Sequence, residues 1–200
     1  MSDYTGIRET SLTLKDRLTQ AFVDDPQLNS LFTAMNYKVS LKSPKEMRTG
    51  SPPEKGLSVW LYQLERSAEL TNRPVVRISP TELRRPPLPV NLHYLFTPIA
   101  EHTETEQVII GKVLQVLNDG TTVAPDPARP ELRETLRISL ETLDLESITR
   151  VWTALEAPYE LCMSYLVHVV DVESGDQPTQ TAAVLDRETS YEQVLDPVAP

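Results

Sequence analysis

The chain has 200 residues, 40% of them apolar, with 17 prolines, 6 glycines, one cysteine and a formal net charge of −10. That length and apolar share suit one domain with an ordinary core and some residues left for arms. The acidic balance argues against nucleic acid as a partner, because neutralising phosphates needs a concentrated basic surface.

Residues 7–24 are expected to form the first helix: Leu14, Leu18, Ala21 and Phe22 fall on one stripe, and Asp25-Pro26 stops it. The segment Tyr37–Leu41 is a short candidate strand. Residues 42–56, rich in proline, glycine and serine, read as a mobile loop whose charges, Lys42, Lys45, Glu46, Arg48, Glu54 and Lys55, are most simply solvated, with a contact arm as the alternative. Leu57–Leu64, LSVWLYQL, is apolar on both faces and belongs inside a sheet. The charged excursion ERSAELTNR then leads to a short strand over residues 74–79, expected as the antiparallel neighbour of the strand before it.

Residues 84–98, RRPPLPVNLHYLFTP, open with prolines that lock φ and favour extended geometry. They continue as an alternating strand with Leu92, Tyr94 and Phe96 on one face, His93, Leu95 and Thr97 on the other, and Pro98 at its end. The prolines also satisfy a P-x-x-P pattern, but a run that feeds straight into a strand reads better as a rigid lead-in. A second helix spans residues 103–118, with Ile110, Val113, Leu114 and Leu117 inward. Its Gly111 costs about 1 kcal/mol against Ala, which points to a close packing contact. After the link Pro125–Pro130 comes a strand over 132–141, with Leu132, Leu136, Ile138 and Leu140 inward and Arg137, Ser139 and Glu141 outward.

Asp144 is placed to cap a third helix, with Leu145, Ile148, Trp152 and Leu155 on one stripe and Pro158 beyond its end. A long strand over 159–172 follows, expected to project or bend. The single cysteine, Cys162, excludes a disulfide framework and reads there as a small buried hydrophobe. Beyond Ser174 the chain turns acidic, with Ala182–Leu185 as one more candidate strand in a flexible arm.

Sites for chemistry are scarce in this text. Ser58 has only the first half of a G-x-S-x-G elbow, because Trp60 stands where the second glycine is needed. The three histidines, His93, His102 and His168, and Cys162 lack metal-ligand spacing, and no Gly-rich phosphate cradle is present. No catalytic residue, cofactor or metal is therefore expected. The N-terminus has no signal-peptide pattern and no apolar run nears the roughly 18 residues of a membrane span, so the protein is expected to be soluble, cytoplasmic when made and not inserted in a membrane. Charge is unevenly spread: residues 1–90 hold 13 Lys/Arg and 10 Asp/Glu, residues 91–200 hold 6 and 19. Separately solvated faces account for this most simply; the alternative is head-to-tail contact between copies, for which Arg84, Arg85, Lys42, Lys45 and Arg48 are the interface candidates.

Five phrases in order, LSVWLYQLERSAELTNR, RRPPLPVNLHYLFTPIA, GKVLQVLND, LRISLETLDLESITRVWTAL and APYELCMSYLVHVVDVES, resemble the cap, or tail-terminator, proteins of extracellular contractile injection systems of the antifeeding-prophage type. The resemblance covers roughly residues 5–173. It implies a mixed α+β fold like that of phage tail terminators, a mostly antiparallel sheet flanked by about three helices; the loop 42–56 and the acidic stretch over 174–200, read from composition as a flexible arm, lie outside the matching phrases. It also implies a structural protein that forms a homohexameric ring on the end of inner tube and sheath distal to the baseplate, in a particle released or held at a membrane. An assembly factor or chaperone of the same particle, and a hydrolase joining Ser58 or Cys162 to His93 or His168, are the other readings.

Overall fold

The alternation over residues 91–97 lies within β5 (Leu88–Ile99), an inner strand of a six-stranded sheet. In the computed structural model, which describes residues 4–68, 70, 73–79, 81–124, 135–175 and 179–180, Val169 by its backbone alone, β5 is flanked by β2 (Gly56–Arg66) and β8 (Met163–Val172), both antiparallel to it. Outside β2 lies β1 (Lys38–Ser40), parallel to it; outside β8 lie β7 (Leu136–Glu141) and β6 (Thr122–Val123), each antiparallel to its neighbour. Strands on both sides and helices on both faces leave β5 no wet face: Leu92, Tyr94 and Phe96 are buried on one side, His93, Leu95 and Thr97 on the other. Pro98 does not end the strand as its missing N–H suggested. β8 begins at Met163 opposite Phe96, so Pro98 pairs only with Leu57 of β2 and needs no second ladder bond.

Two helices cover the first face. α1 (Gly6–Val23) lays Leu14, Leu18 and Phe22 onto Leu57, Val59, Leu92, Tyr94 and Phe96, and within this layer Ser11 Oγ and Tyr94 Oη form a buried hydrogen bond of 2.7 Å. α4 (Thr103–Asp119) buries Ile109, Val113 and Leu117, one residue round from the expected stripe, and leaves Leu114 exposed. The helix is apolar at 108–110, 113, 114, 116 and 117, wide enough to offer two stripes, and the i, i+4, i+8 row is the one the sheet accepts. Nor does Gly111 mark close packing: it is exposed, and a Cβ built there meets no atom within 4 Å. Gly111→Ala is therefore expected to stabilise the chain by about 0.5–1 kcal/mol, read as a rise of about 2–4 °C in Tm.

The second face carries α5 (Leu145–Leu155), begun by Asp144, whose carboxylate accepts from Ser147 N at 2.7 Å, and ended by Glu156 in the left-handed region. Ile148 and Trp152 pack on Leu95, with Trp60, Tyr62 and Cys162 around them. Leu145 projects into solvent instead of joining the stripe. Trp152 Nε1 donates to Cys162 Sγ at 3.3 Å, and burial pushes the thiol pKa up, so Cys162 acts as the packing residue it was read to be.

Among the described residues there are five helices where about three were expected. The additional two, α2 (Asn29–Thr33) and α3 (Pro44–Thr49), are short. α3 forms inside the stretch read as a loop, and its start was written in the sequence. In Ser43-Pro44-Lys45-Glu46 the Ser43 hydroxyl accepts from Glu46 N while the Glu46 carboxylate accepts from Ser43 N at 2.8 Å, a capping box with proline in the first turn.

The described residues fall into two compact units, those within 1–72 and 87–174, the unit just described, and those within 73–86 and 175–200. The smaller unit holds a three-stranded antiparallel sheet in the order β3-β4-β9: β3 (Val76–Ser79), β4 (Glu82–Arg84) and β9 (Thr179–Gln180). The strand at 74–79 is thus no neighbour of β2, as its short connection suggested. Arg66 pairs directly with Val90, so β2 and β5 are each other's hairpin partners and β3–β4 is an insertion between them. Three smaller departures concern strand ends: Leu64 and Leu140 are exposed although read inward, and the strand expected from 159 starts at Met163 and carries a register shift opposite Val90–Leu92. The link Pro125–Pro130, Leu132, the candidate strand Ala182–Leu185 and the arm beyond residue 180 lie outside the described residues.

Candidate functional site

The basic residues singled out as contact candidates fall into two groups. Lys42, Lys45 and Arg48 flank or lie on α3, and all three are paired within the chain. Lys42 Nζ sits 2.7 Å from Glu54, which also meets Lys38 at 3.2 Å; Lys45 reaches Glu156 at 2.9 Å; Arg48 grips Glu160 with two nitrogens at 2.6 and 2.8 Å. The Lys42 ammonium holds the Glu54 carboxyl below its ordinary pKa, and Lys45 does the same for Glu156. α3 is thereby tied to the C-cap of α5 and to the approach to β8. Arg84 and Arg85 belong to the smaller unit, Arg84 ending β4 half-buried and Arg85 exposed after it.

The hydrolase constellation does not assemble. Ser58 is fully buried and donates to the carbonyl of Lys42 at 2.7 Å. His168 Nε2 meets Ser139 Oγ at 2.8 Å, and Cys162 is held by Trp152. None of these nucleophile candidates touches either histidine considered as its base. Among the described residues no cluster of three or more His, Cys, Asp or Glu side chains is placed to hold a metal ion, and no helix is long and apolar enough to cross a membrane.

What the fold does gather is a polar network on the second face of the sheet. Tyr62 of β2 lies 3.0 Å from Ser164 of β8, and Ser164 Oγ donates to Glu141 of β7 at 2.6 Å. Nδ1 of His93, in β5, sits 3.1 Å from both Glu141 oxygens, while Nε2 faces Glu65 of β2 at 3.3 Å without hydrogen-bond alignment. Four adjacent strands are joined through one largely buried imidazole, 5% exposed. Burial alone would lift the Glu141 carboxyl, but the hydrogen bonds from Ser164 and His93 outweigh it and hold the carboxyl below the usual glutamate value. Burial also pushes the Tyr62 phenol up.

No local pattern in the sequence marks this network. Glu141 was read only as an outward residue, and partners at 62, 65, 93 and 164 meet only once strand order is known. Its chemistry is structural, and the sign of its pH dependence follows from the depressed carboxyl. The stabilisation is present above the unfolded-state pKa of glutamate and is lost as pH falls through the lower folded value. Glu141→Gln is expected to cost about 1–2 kcal/mol at neutral pH, the worth of hydrogen bonds to a charged group. Denaturant unfolding should show the gap from the parent protein closing below about pH 4.

A family model described as the Pvc16 N-terminal domain matches residues 9–186. Two solved structures share the fold. The PVC sheath/tube terminator of an extracellular contractile injection system, in its extended state, aligns with a TM-score of 0.59 at 16% identity, over 94% of this chain and 63% of that one. The anti-feeding prophage cap, a tube-terminating cap, aligns with a TM-score of 0.57 at 16% identity, over 90% of this chain and 59% of that one. The chain thus spans about three fifths of the length of these two proteins. No curated protein matches the sequence. With the mixed, mostly antiparallel sheet and flanking helices in place and a family match running through nearly the whole described fold, the chain belongs to the Pvc16 N-terminal domain family.

Proposed function

We propose that this protein is a structural terminator of a contractile injection particle: a ring of identical subunits, six by the expected symmetry, on the baseplate-distal end, where it stops inner tube and sheath polymerisation and braces both. The observation that carries this reading is the alignment of 94% of the chain with a sheath/tube terminator fold. Its partners are then its own copies and the tube and sheath subunits, and its role is mechanical and not catalytic. The separate engagement of Ser58, His168 and Cys162 supports that view. Arg84, Arg85, Lys42, Lys45 and Arg48 remain the contact candidates toward an acidic neighbour, and Lys42, Lys45 and Arg48 would exchange their intrachain carboxylates to serve.

Cryo-electron microscopy and mass spectrometry of washed particles test the reading together. The chain is expected at low copy number as a ring at one end, and its deletion should give tubes and sheaths of uncontrolled length. Normal ends and lengths without it would overturn the proposal. Absence from the washed particle, with assembly still dependent on the gene, would make it an assembly factor instead.

A further inference from the structure

Two apolar features stand exposed among the described residues, one convex and one concave. The convex one is β3. With Val75 just before it, this edge strand of the small sheet shows Val75, Val76 and Ile78 at 53%, 45% and 51% exposure. A sheet of this size gains its stability from something packed against its apolar face. An exposed edge of Val and Ile is a template for pairing with another chain.

The concave feature is a groove of about 500 Å³ in the larger unit, lined by Leu114 and Leu117 of α4, Ile138 and Leu140 of β7 and Tyr165 of β8. Leu140 and Leu114 stand open on it, at 54% and 38% exposure. Among the described residues β6 pairs only with Leu136 and Arg137, and Thr121 O accepts from Ile138 N, so Ser139–Glu141 have a strand on the β8 side alone.

We infer that these features are the two halves of one interface between copies: β3 of one subunit lies along the open edge of β7 in the next, with Val76 and Ile78 seated in the groove against Leu114 and Leu140. This rests on the ring reading, since a ring needs a heterologous contact in which two different patches of one chain meet. Charge favours a second copy as the occupant. Residues 73–86 carry four arginines against one glutamate, and residues 101–124, α4 with its flanks, carry four carboxylates against one lysine. Strand addition supplies the main-chain bonds, and the alternate side chains that enter the groove supply the register.

Disulfide trapping tests it. In a Cys162→Ala background, Ile78→Cys is combined with Leu140→Cys and the assembled protein is mildly oxidised. The expected result is loss of the monomer band on a non-reducing gel in favour of a ladder ending at the ring. Singly substituted variants mixed together should stop at dimers. Ile78→Lys should release monomer with an unchanged Tm. Rings that form but trap no better than a control pair of Ile78→Cys with Leu145→Cys would overturn the inference and leave the ring intact. Equal trapping of Ile78→Cys with itself, or with a tube or sheath subunit, would overturn it as well. A chain that forms no ring alone or on particles would remove the ring reading and this interface with it.

Discussion

Leu92→Asp and Phe96→Asp are each expected to leave the chain without a cooperative unfolding transition. Both side chains are fully buried beneath α1 on the strand that has neighbours along both edges. A carboxylate there must either stay charged without a partner or take up a proton and bury an unsatisfied hydroxyl, and either course also sacrifices the packing of the original side chain. The combined cost of about 4 kcal/mol or more is a large part of the 5–15 kcal/mol that holds a typical domain folded. Far-UV circular dichroism and thermal melts of the two variants check this. Soluble protein with an unchanged midpoint would show that β5 does not face the core this way.

Trp152→Ala is expected to cost about 3–5 kcal/mol, the range for truncating a large aromatic in a core. The effect should be large because α5 is the helix that closes the second face around Leu95, and Trp152 is its principal anchor, 2% exposed. The ring packs edge-on to Tyr159 at a centroid distance of 6.1 Å and donates to Cys162, so one truncation opens a cavity and strips a partner from the loop leading into β8. Trp152→Phe should recover most of the packing. Urea titration would separate the variants by midpoint, and a loss below 1 kcal/mol in the alanine variant would mean that the layer collapses to fill the space.

Periodicity was enough for the main elements. α1, α4 and α5 are amphipathic and sit within a few residues of their expected ends, and the alternation of β5 named its inner face correctly. Local pattern failed where tertiary choice decides. α4 is apolar over a wide arc, and only the sheet selects Ile109 over Ile110. The connection after Arg66 looked like a hairpin turn because sequence proximity cannot reveal that β2 already has β1 and β5 at its edges. α3 was legible in its capping box and was obscured by the surrounding prolines and glycine. Candidate contact residues suffered from a different limit. A basic residue reads the same whether its carboxylate comes from residue 156 of the same chain or from a neighbour, and for Lys42, Lys45 and Arg48 the fold supplies the partner itself. The network around His93 depends on four strands meeting, and nothing in any one of them announces it.

The hydrogen bond between Ser11 and Tyr94 has a consequence for how α1 is seated. Apolar contact is nearly indifferent to sliding, and Leu14, Leu18 and Phe22 recur at spacings that would still meet the sheet if the helix slipped by one turn. The two hydroxyls are not indifferent. Burial pushes the Tyr94 phenol pKa well up, so the group stays neutral, and a displaced helix would leave its hydroxyl dry and unpartnered at about 1–3 kcal/mol, while Ser11 keeps its bond to the Ile7 carbonyl within α1. This contact acts as an index pin, adding little to overall stability yet discriminating the native seating of α1 from a slipped one by roughly tenfold or more in population.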